Sequence, residues 1–134
     1  MSYFVTGGTG FLGRYLIGNL IKRKGTIHVL VRKESLKKFD ALAKKQGWDP
    51  KRVIAVAGDM TAPKCGLTAA QIRNLTGKVQ HFFHLAAIYD LTASAESQRA
   101  ANIDGTQHAL DLAAVLKAGC FHHTSSIAAA GLYP

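Results

Sequence analysis

The chain has 134 residues, of which 48% are hydrophobic and 19% are charged, the composition of a single globular domain with its own core. No apolar run is long enough to cross a membrane, and an apolar strand pattern starts almost at Met1, so we expect a cytoplasmic protein without a leader. Cys65 and Cys120 have neither metal-ligand spacing nor a disulfide context, which fits a reducing compartment.

The formal net charge of +9 is large for this length, and most of the basic residues precede residue 65. Three interpretations are open: solvated helix faces, attraction of a polyanionic cofactor or thioester, and nucleic-acid binding. The basic residues are spread over two predicted helices and their flanking loops and are not concentrated in a single nucleic-acid recognition element. We therefore favour solvated faces and expect no nucleic-acid partner.

The N-terminal segment predicts a strand, a glycine turn and a helix. An apolar run over residues 3–6 leads into three glycines spaced three apart, after which residues 14–21 take up helical spacing. The first glycine permits a sharp turn, the second lets a pyrophosphate approach the backbone, and the third lets the helix pack on the strand. The alternative is a purely structural turn. We predict dinucleotide binding, with phosphates at the helix N-terminus, through Gly7, Gly10, Phe11, Leu12 and Gly13.

Residues 27–31 are the second predicted strand, and the residue that follows them indicates whether the cofactor is NAD(H) or NADP(H). Gly25 is expected to cap the helix before it. In dinucleotide folds a carboxylate after this strand would bind the adenosine ribose. Arg32 stands there instead, followed by Lys33, and a guanidinium pairs with a 2′-phosphate. The pattern favours NADP(H) over NAD(H); the alternative is an ordinary strand-end cation.

The segment after a third predicted strand is expected to contact the adenine of the dinucleotide. Apolar spacing indicates a helix over residues 36–46, stopped by Gly47, and then a strand over residues 53–57. Because ligands of such sheets bind beyond the carboxyl ends of the strands, we expect Asp59 to accept from the adenine amine and Met60 to pack on the ring. A turn-capping role for Asp59 is the alternative.

The rest of the pattern continues the alternation of strand and helix. Thr68 is expected to cap a helix through Leu75, and residues 79–85 to form a fourth strand. The small residues Ala86 and Ala87 then let the backbone run beneath the cofactor ribose, or simply pack tightly.

A long helix over residues 99–117, closed by Gly119, and a fifth strand over residues 120–124 complete the chain. The fold class is therefore α/β, a Rossmann-type doubly wound parallel sheet with right-handed crossovers.

The six histidines raise the question of a metal site. His81 and His84 are three apart on one predicted strand and so point to opposite faces, and the adjacent His122 and His123 diverge in the same way. We expect no metal site.

Taken together, these motifs resemble the extended branch of the short-chain dehydrogenase/reductase superfamily. Within it, the N-terminal stretch and residues 29–35 and 85–91 are most similar to bacterial fatty acyl-CoA reductases and related thioester reductases. The resemblance implies NADPH-dependent reduction of an acyl thioester, a small-molecule substrate, to an aldehyde or alcohol. The segments that carry the superfamily resemblance are residues 6–13, 58–60, 84–87, 102–106 and 124–131.

The resemblance also implies catalytic residues. Ser126 matches the serine whose hydroxyl binds the substrate carbonyl oxygen, with Ser125 as the nearby alternative, and a capping role for both stays open. Asn102 would line the site as a structural bridge or a proton relay.

The superfamily's Tyr-x-x-x-Lys proton donor is absent from the 134 residues. We therefore interpret residues 1–134 as the N-terminal NAD(P)-binding portion of a longer reductase, truncated after the fifth strand and inactive alone, with its oligomeric state open. Two alternatives remain: a nucleotide-sugar epimerase or dehydratase, for which a carboxylate at position 32 would be expected, and a non-catalytic dinucleotide-sensing module.

Overall fold

The structure is a computed structural model that describes residues 2–85 and 103–123. Strands and helices alternate along this part of the chain, and none of its helices is long and apolar enough to span a membrane. The elements are β1 (Ser2–Thr6), α1 (Phe11–Leu20), β2 (Thr26–Val31), α2 (Leu36–Gln46), β3 (Val53–Ala57), α3 (Ala69–Leu75), β4 (Val79–His84), α4 (Gly105–Val115) and β5 (Cys120–His123).

The strands form one parallel sheet in the order β3-β2-β1-β4-β5. β1 lies at its centre, where Tyr3 pairs with Ile27 of β2 on one side and with His81 of β4 on the other. The chain moves outward from β1 in one direction and then crosses back to β4, so the topology reverses beside β1. This arrangement confirms the predicted Rossmann-type sheet and directs attention to the carboxyl end of β1.

One face of the sheet is covered by α1 and α2. Alternate side chains of β1, β2 and β3 point to this face, because successive residues of a strand face opposite sides. Trp48, from the predicted loop after α2, is also buried here, with its ring 6.2 Å from that of Phe39. The buried cluster consists of Tyr3, Val5, Ile17, Leu20, Ile27, Val29, Val31, Phe39, Trp48 and Val53.

The opposite face packs against α3 and α4. Its centre is a row of aromatic rings across three neighbouring strands, with centroids 4.8 Å apart for Phe4 and Phe82 and 5.3 Å apart for Phe82 and Phe121. Offset aromatic pairs at these separations stabilise a core beyond the area they bury. The buried cluster consists of Phe4, Val56, Cys65, Leu67, Leu75, Val79, Phe82, Ala109, Leu112, Ala113 and Leu116.

Several predicted boundaries of helices and strands are confirmed, and others differ from the prediction. α2 and β3 have the predicted bounds, and α2 ends at Gly47 in the left-handed conformation, φ 72°. α3 begins with the predicted Thr68 cap, whose hydroxyl accepts from the amide of Gln71 while the Gln71 side chain accepts from the amide of Thr68. β4 ends at His84, one residue earlier than predicted.

The first helix differs from its prediction at both ends. It begins at Phe11, because Gly10 in an extended conformation already accepts from the amide of Arg14, so Gly13 lies in the first turn. Gly25 is not its cap, since the helix ends at Leu20. The guanidinium of Arg52 instead donates to the carbonyls that follow the helix, those of Ile21, Arg23 and Gly25.

The end of α4 also differs from the prediction. The residue that turns the chain is Lys117, with φ 56°, and Gly119 does not close the helix. Gly119 is needed for another reason: a Cβ there would lie 2.8 Å from the carbonyl oxygen of Gln80 in the neighbouring strand. The close approach of two backbones therefore accounts for a glycine that helix geometry does not require.

Candidate functional site

The glycine turn lies at the carboxyl end of β1, beside the topological reversal. Gly7 has a φ of 73° and its carbonyl accepts from the amide of Gly10 at 3.2 Å, so the turn requires the left-handed conformation that glycine adopts without strain. The chain then enters α1 directly. Among the described residues, no side chain caps this helix N-terminus and no acidic residue lies in its first turn. An anion is therefore favoured there by both the peptide N–H groups and the helix dipole.

The two later glycines of the turn, Gly10 and Gly13, differ in how closely other atoms approach them. A Cβ on Gly13 would overlap the carbonyl oxygen of Gly7 and lie 2.6 Å from the Cα of Gly8, so the helix packs on the turn only with glycine there. Among the described residues, a Cβ on Gly10 would meet only the carbonyl oxygen of Gly7 at 3.5 Å, an ordinary contact, and the φ of −77° suits any residue. The packing of residues 2–85 and 103–123 therefore does not require glycine at position 10. The bare surface fits a ligand that approaches the backbone closely.

Basic and acidic side chains meet in a cleft beyond the carboxyl ends of β2 and β3. The cleft has a volume of about 190 Å³, and the predicted residues Arg32, Lys33 and Asp59 line it together. Arg32 is exposed, and its Nε lies 3.8 Å from a carboxylate oxygen of Glu34. Such an exposed and long ion pair holds the guanidinium weakly. Arg32 is therefore available to a stronger anionic partner.

Asp59 has the turn-capping role that the sequence left as an alternative. Its Oδ1 accepts from the amide of Thr61 at 2.9 Å and from the Thr61 hydroxyl at 2.7 Å. These bonds, and more weakly Arg32, hold the pKa of the Asp59 carboxyl below its usual value. The carboxylate is thus ionised and fixed at the rim of the cleft. Its contact with adenine stays a prediction.

The other predicted cofactor residues in the described ranges have varied surroundings. Leu12 is exposed in the first turn of α1, where an apolar side chain is available to a ligand. Met60 is half-buried against the cluster beneath α3 and α4, and its carbonyl accepts from Nδ1 of His108 at 2.7 Å. Phe11 is the first residue of α1. The other predicted residues lie outside the described ranges: Ala86, Ala87, Asn102, Ser125 and Ser126.

A buried histidine ties the glycine turn to β4 and α4, which the sequence did not indicate. Nδ1 of His84 lies 2.7 Å from the hydroxyl of Thr6, and its Nε2 lies 3.2 Å from the hydroxyl of Thr106. Burial, and secondarily the charge of His123, lowers the pKa of His84 to about 4. The ring is therefore neutral near pH 7 and joins three elements just below the turn.

Sequence reasoning also missed residues of the cleft and of the sheet. Gly58 stands where a Cβ would overlap the carbonyl oxygen of Cys65 and lie 2.6 Å from Leu30, a close approach that its place after a strand could have suggested. His81 and His122 were placed correctly on their own strands. Their contact across β4 and β5, at 3.0 Å between ring nitrogens, depends on strand register, which the sequence does not show.

Comparison with curated proteins places the chain among longer synthetases and reductases. It is 32% identical over 132 residues to a linear gramicidin synthase of Brevibacillus parabrevis, covering 92% of this chain and 3% of that protein. It is 33% identical over 137 residues to the large subunit of an L-2-aminoadipate reductase of Penicillium chrysogenum, covering 94% and 10%. A putative fatty acyl-CoA reductase of Drosophila melanogaster is 33% identical over 129 residues, covering 85% and 23%. The chain thus spans less than a quarter of the length of these relatives.

Solved structures agree with this placement. The terminal R domain of the myxalamid PKS-NRPS biosynthetic pathway superposes with a TM-score of 0.82 at 29% identity, covering 95% of this chain and 35% of that one. A yeast methylglyoxal/isovaleraldehyde reductase complexed with NADPH gives a TM-score of 0.80 at 18% identity, covering 96% and 38%, which supports the fold alone. Residues 5–133 match the profile of the NAD-binding family described as male sterility protein. With its glycine turn and parallel sheet, the chain belongs to this NAD-binding family.

Proposed function

We propose that the chain is the NADP(H)-binding part of a reductase that converts a fatty acyl thioester to an aldehyde or alcohol. The observation that carries the proposal is the bare backbone at Gly10, where the part of the chain that the structure describes leaves room that a pyrophosphate would fill. The uncapped start of α1 beside it suits the negative charge of that group. The hydride for such a reduction comes from the nicotinamide when the dinucleotide is bound.

The preference for NADP(H) over NAD(H) rests on Arg32. Its guanidinium lines the cleft after β2, and Lys33 adds a second positive charge there. A carboxylate, which would favour the ribose hydroxyls of NAD(H), does not occupy position 32. Glu34 is near, but its exposed ion pair with Arg32 is easily exchanged for a 2′-phosphate, which accepts two parallel hydrogen bonds from a guanidinium.

Calorimetric titration with NADPH and then NADH tests the cofactor. We expect NADPH to bind at least about tenfold more tightly than NADH, a difference of about 1.4 kcal/mol. Arg32→Ala should bring the two affinities to within about threefold, whereas Arg23→Ala, which removes the same charge from the turn after α1, should leave the ratio unchanged. Tighter binding of NADH by the unaltered chain would exclude the preference.

A pair of glycine variants tests the turn itself in the same assay. Gly10→Ala adds one methyl group that overlaps no described residue, so we expect normal folding and a loss of dinucleotide affinity of about tenfold or more. Gly18→Ala makes the same change on the exposed face of α1, where the added Cβ meets no described residue within 4 Å apart from the backbone of its own helix, and should bind as the unaltered chain does. Equal affinities of the two variants would contradict a ligand at Gly10.

The proposal extends to chain organisation and chemistry. Residues 1–134 are the N-terminal cofactor-binding portion of a longer reductase, in keeping with the small share of the relatives that the chain spans. Ser126, or Ser125 beside it, would donate to the substrate carbonyl oxygen as negative charge develops, and Asn102 would support the site. The relatives named as reductases favour this activity over nucleotide-sugar epimerisation and over a non-catalytic sensor.

Turnover by the chain alone is the third test. Without a Tyr-x-x-x-Lys pair in its 134 residues, it has no group of the expected kind to protonate the carbonyl oxygen. We expect binding of NADPH but no steady oxidation of it when a long-chain acyl-CoA is added, followed by NADPH absorbance. Sustained NADPH oxidation that depends on the acyl-CoA would contradict the proposal that the chain alone binds the cofactor but does not turn over.

A further inference from the structure

A cluster of two histidines and a cysteine lies on β4 and β5, outside the cofactor cleft. In the parallel register His81 pairs with Cys120, and Phe83 pairs with His122, so all four side chains share one face of the sheet. Nδ1 of His81 and Nε2 of His122 are 3.0 Å apart. One ring nitrogen of each histidine and the Sγ of Cys120 all lie within 4.8 Å of one another.

Neighbouring aromatic rings hold the two imidazoles in place. The His81 ring lies 6.0 Å from that of Tyr3, and the His122 ring stacks 4.6 Å from that of Phe83 at an angle of 12°. Both histidines are half-buried, whereas Cys120 is exposed. The cluster therefore combines two ordered nitrogen donors with a thiol that solvent and solutes can reach.

The donor set matches the chemistry of a borderline-soft divalent cation. Imidazole nitrogen and thiolate sulfur are the ligands that Zn²⁺ prefers, at about 2.0–2.1 Å and 2.3 Å in a tetrahedral site. Ligand atoms of such a site are separated by about 3.3–3.6 Å. The two nitrogens, 3.0 Å apart, need to separate by only a few tenths of an ångström, and the exposed thiol needs to move inward. A fourth position would be left for water.

We propose that His81, Cys120 and His122 form a binding site for Zn²⁺ on the β4–β5 pair. The proposal does not depend on the function proposed above, because none of the three residues lines the cleft around Arg32 or belongs to the glycine turn. The competing explanation is a stack of rings joined by one hydrogen bond between the histidines, with no affinity for a metal.

Titration of the 134-residue chain with Co²⁺, under a phosphine reductant, distinguishes the two. Thiolate coordination gives a charge-transfer band in the near ultraviolet, and Zn²⁺ should abolish it by displacing Co²⁺. We expect Cys120→Ser to lose this band and His122→Gln to bind Co²⁺ at least about tenfold more weakly. Absence of the band in the unaltered chain would overturn the proposal.

Two matched variants serve as controls. His123→Gln changes the next residue, whose ring stacks on His84 at the opposite face of the sheet, and should keep the affinity. Cys65→Ser should keep the band, because Cys65 is buried in the other core and burial raises its pKa to about 12. The site is also excluded if the band survives Cys120→Ser, or if His123→Gln weakens binding as much as His122→Gln.

Discussion

At the scale of single residues, His84 shows how one buried side chain joins the glycine turn to the rest of the sheet. Its ring nitrogens are both engaged, with the hydroxyl of Thr6 at the end of β1 and with that of Thr106 in α4. Such a ring is well accommodated only while it is neutral, because protonation would leave a charge in a site that excludes water. The protonation of His84 is therefore coupled to folding.

The direction of this coupling gives a pH prediction. The folded-state pKa of His84, about 4, lies below its ordinary value of 6.5, so the unfolded chain binds the proton more readily. The free energy of unfolding should therefore fall as the pH drops from 6.5 towards 4, by up to about 3 kcal/mol from this residue. His28, whose pKa burial and Lys78 also lower, adds to the same decline.

Urea unfolding at a series of pH values measures the effect. His84→Gln removes the titration while it keeps a polar side chain of similar length, so its decline between pH 6.5 and 4 should be clearly shallower. An equally steep decline in His84→Gln would remove His84 as the cause.

At the scale of secondary-structure elements, the C-terminal end of α1 is stabilised by a side chain from another part of the chain. Arg52, just before β3, donates to the carbonyls of Ile21, Arg23 and Gly25, groups that the end of a helix and its following turn leave without partners. A guanidinium also opposes the negative end of the helix dipole. A residue distant in sequence thus performs the capping that Gly25 was expected to perform.

Removal of this contact should destabilise the protein measurably. For Arg52→Met, which keeps an apolar stem and loses the donors, we expect a loss of about 1–3 kcal/mol in the free energy of unfolding. Lys51→Met at the adjacent exposed position should change it by less than about 0.5 kcal/mol. Chemical denaturation of the two variants gives the comparison, and equal stabilities would mean that the Arg52 bonds contribute nothing.

At the scale of the whole molecule, the sheet with its two covered faces was predictable and the contacts across it were not. Strand and helix periods, with glycines at the turns, fixed the order of elements and the bounds of α2 and β3, because those signals are local. Arg32 and Asp59 were placed at one edge because carboxyl ends of parallel strands converge. Three contacts could not be predicted: those of Arg52 with the carbonyls after α1, of His84 with two threonines, and of His81 with His122. They depend on strand register and on how the connections between strands cross the sheet, which no local sequence pattern encodes.

The uncapped start of α1 has a consequence for the whole protein. No described side chain caps the first N–H groups of α1, so the dinucleotide that we propose would complete this end of the helix when it binds, and binding and folding would draw on the same interactions. With the proposed dinucleotide at a hundred times its dissociation constant, the folded state gains about 2.7 kcal/mol by mass action. The lifetime of the protein against heat and proteolysis would then follow the supply of the dinucleotide around it.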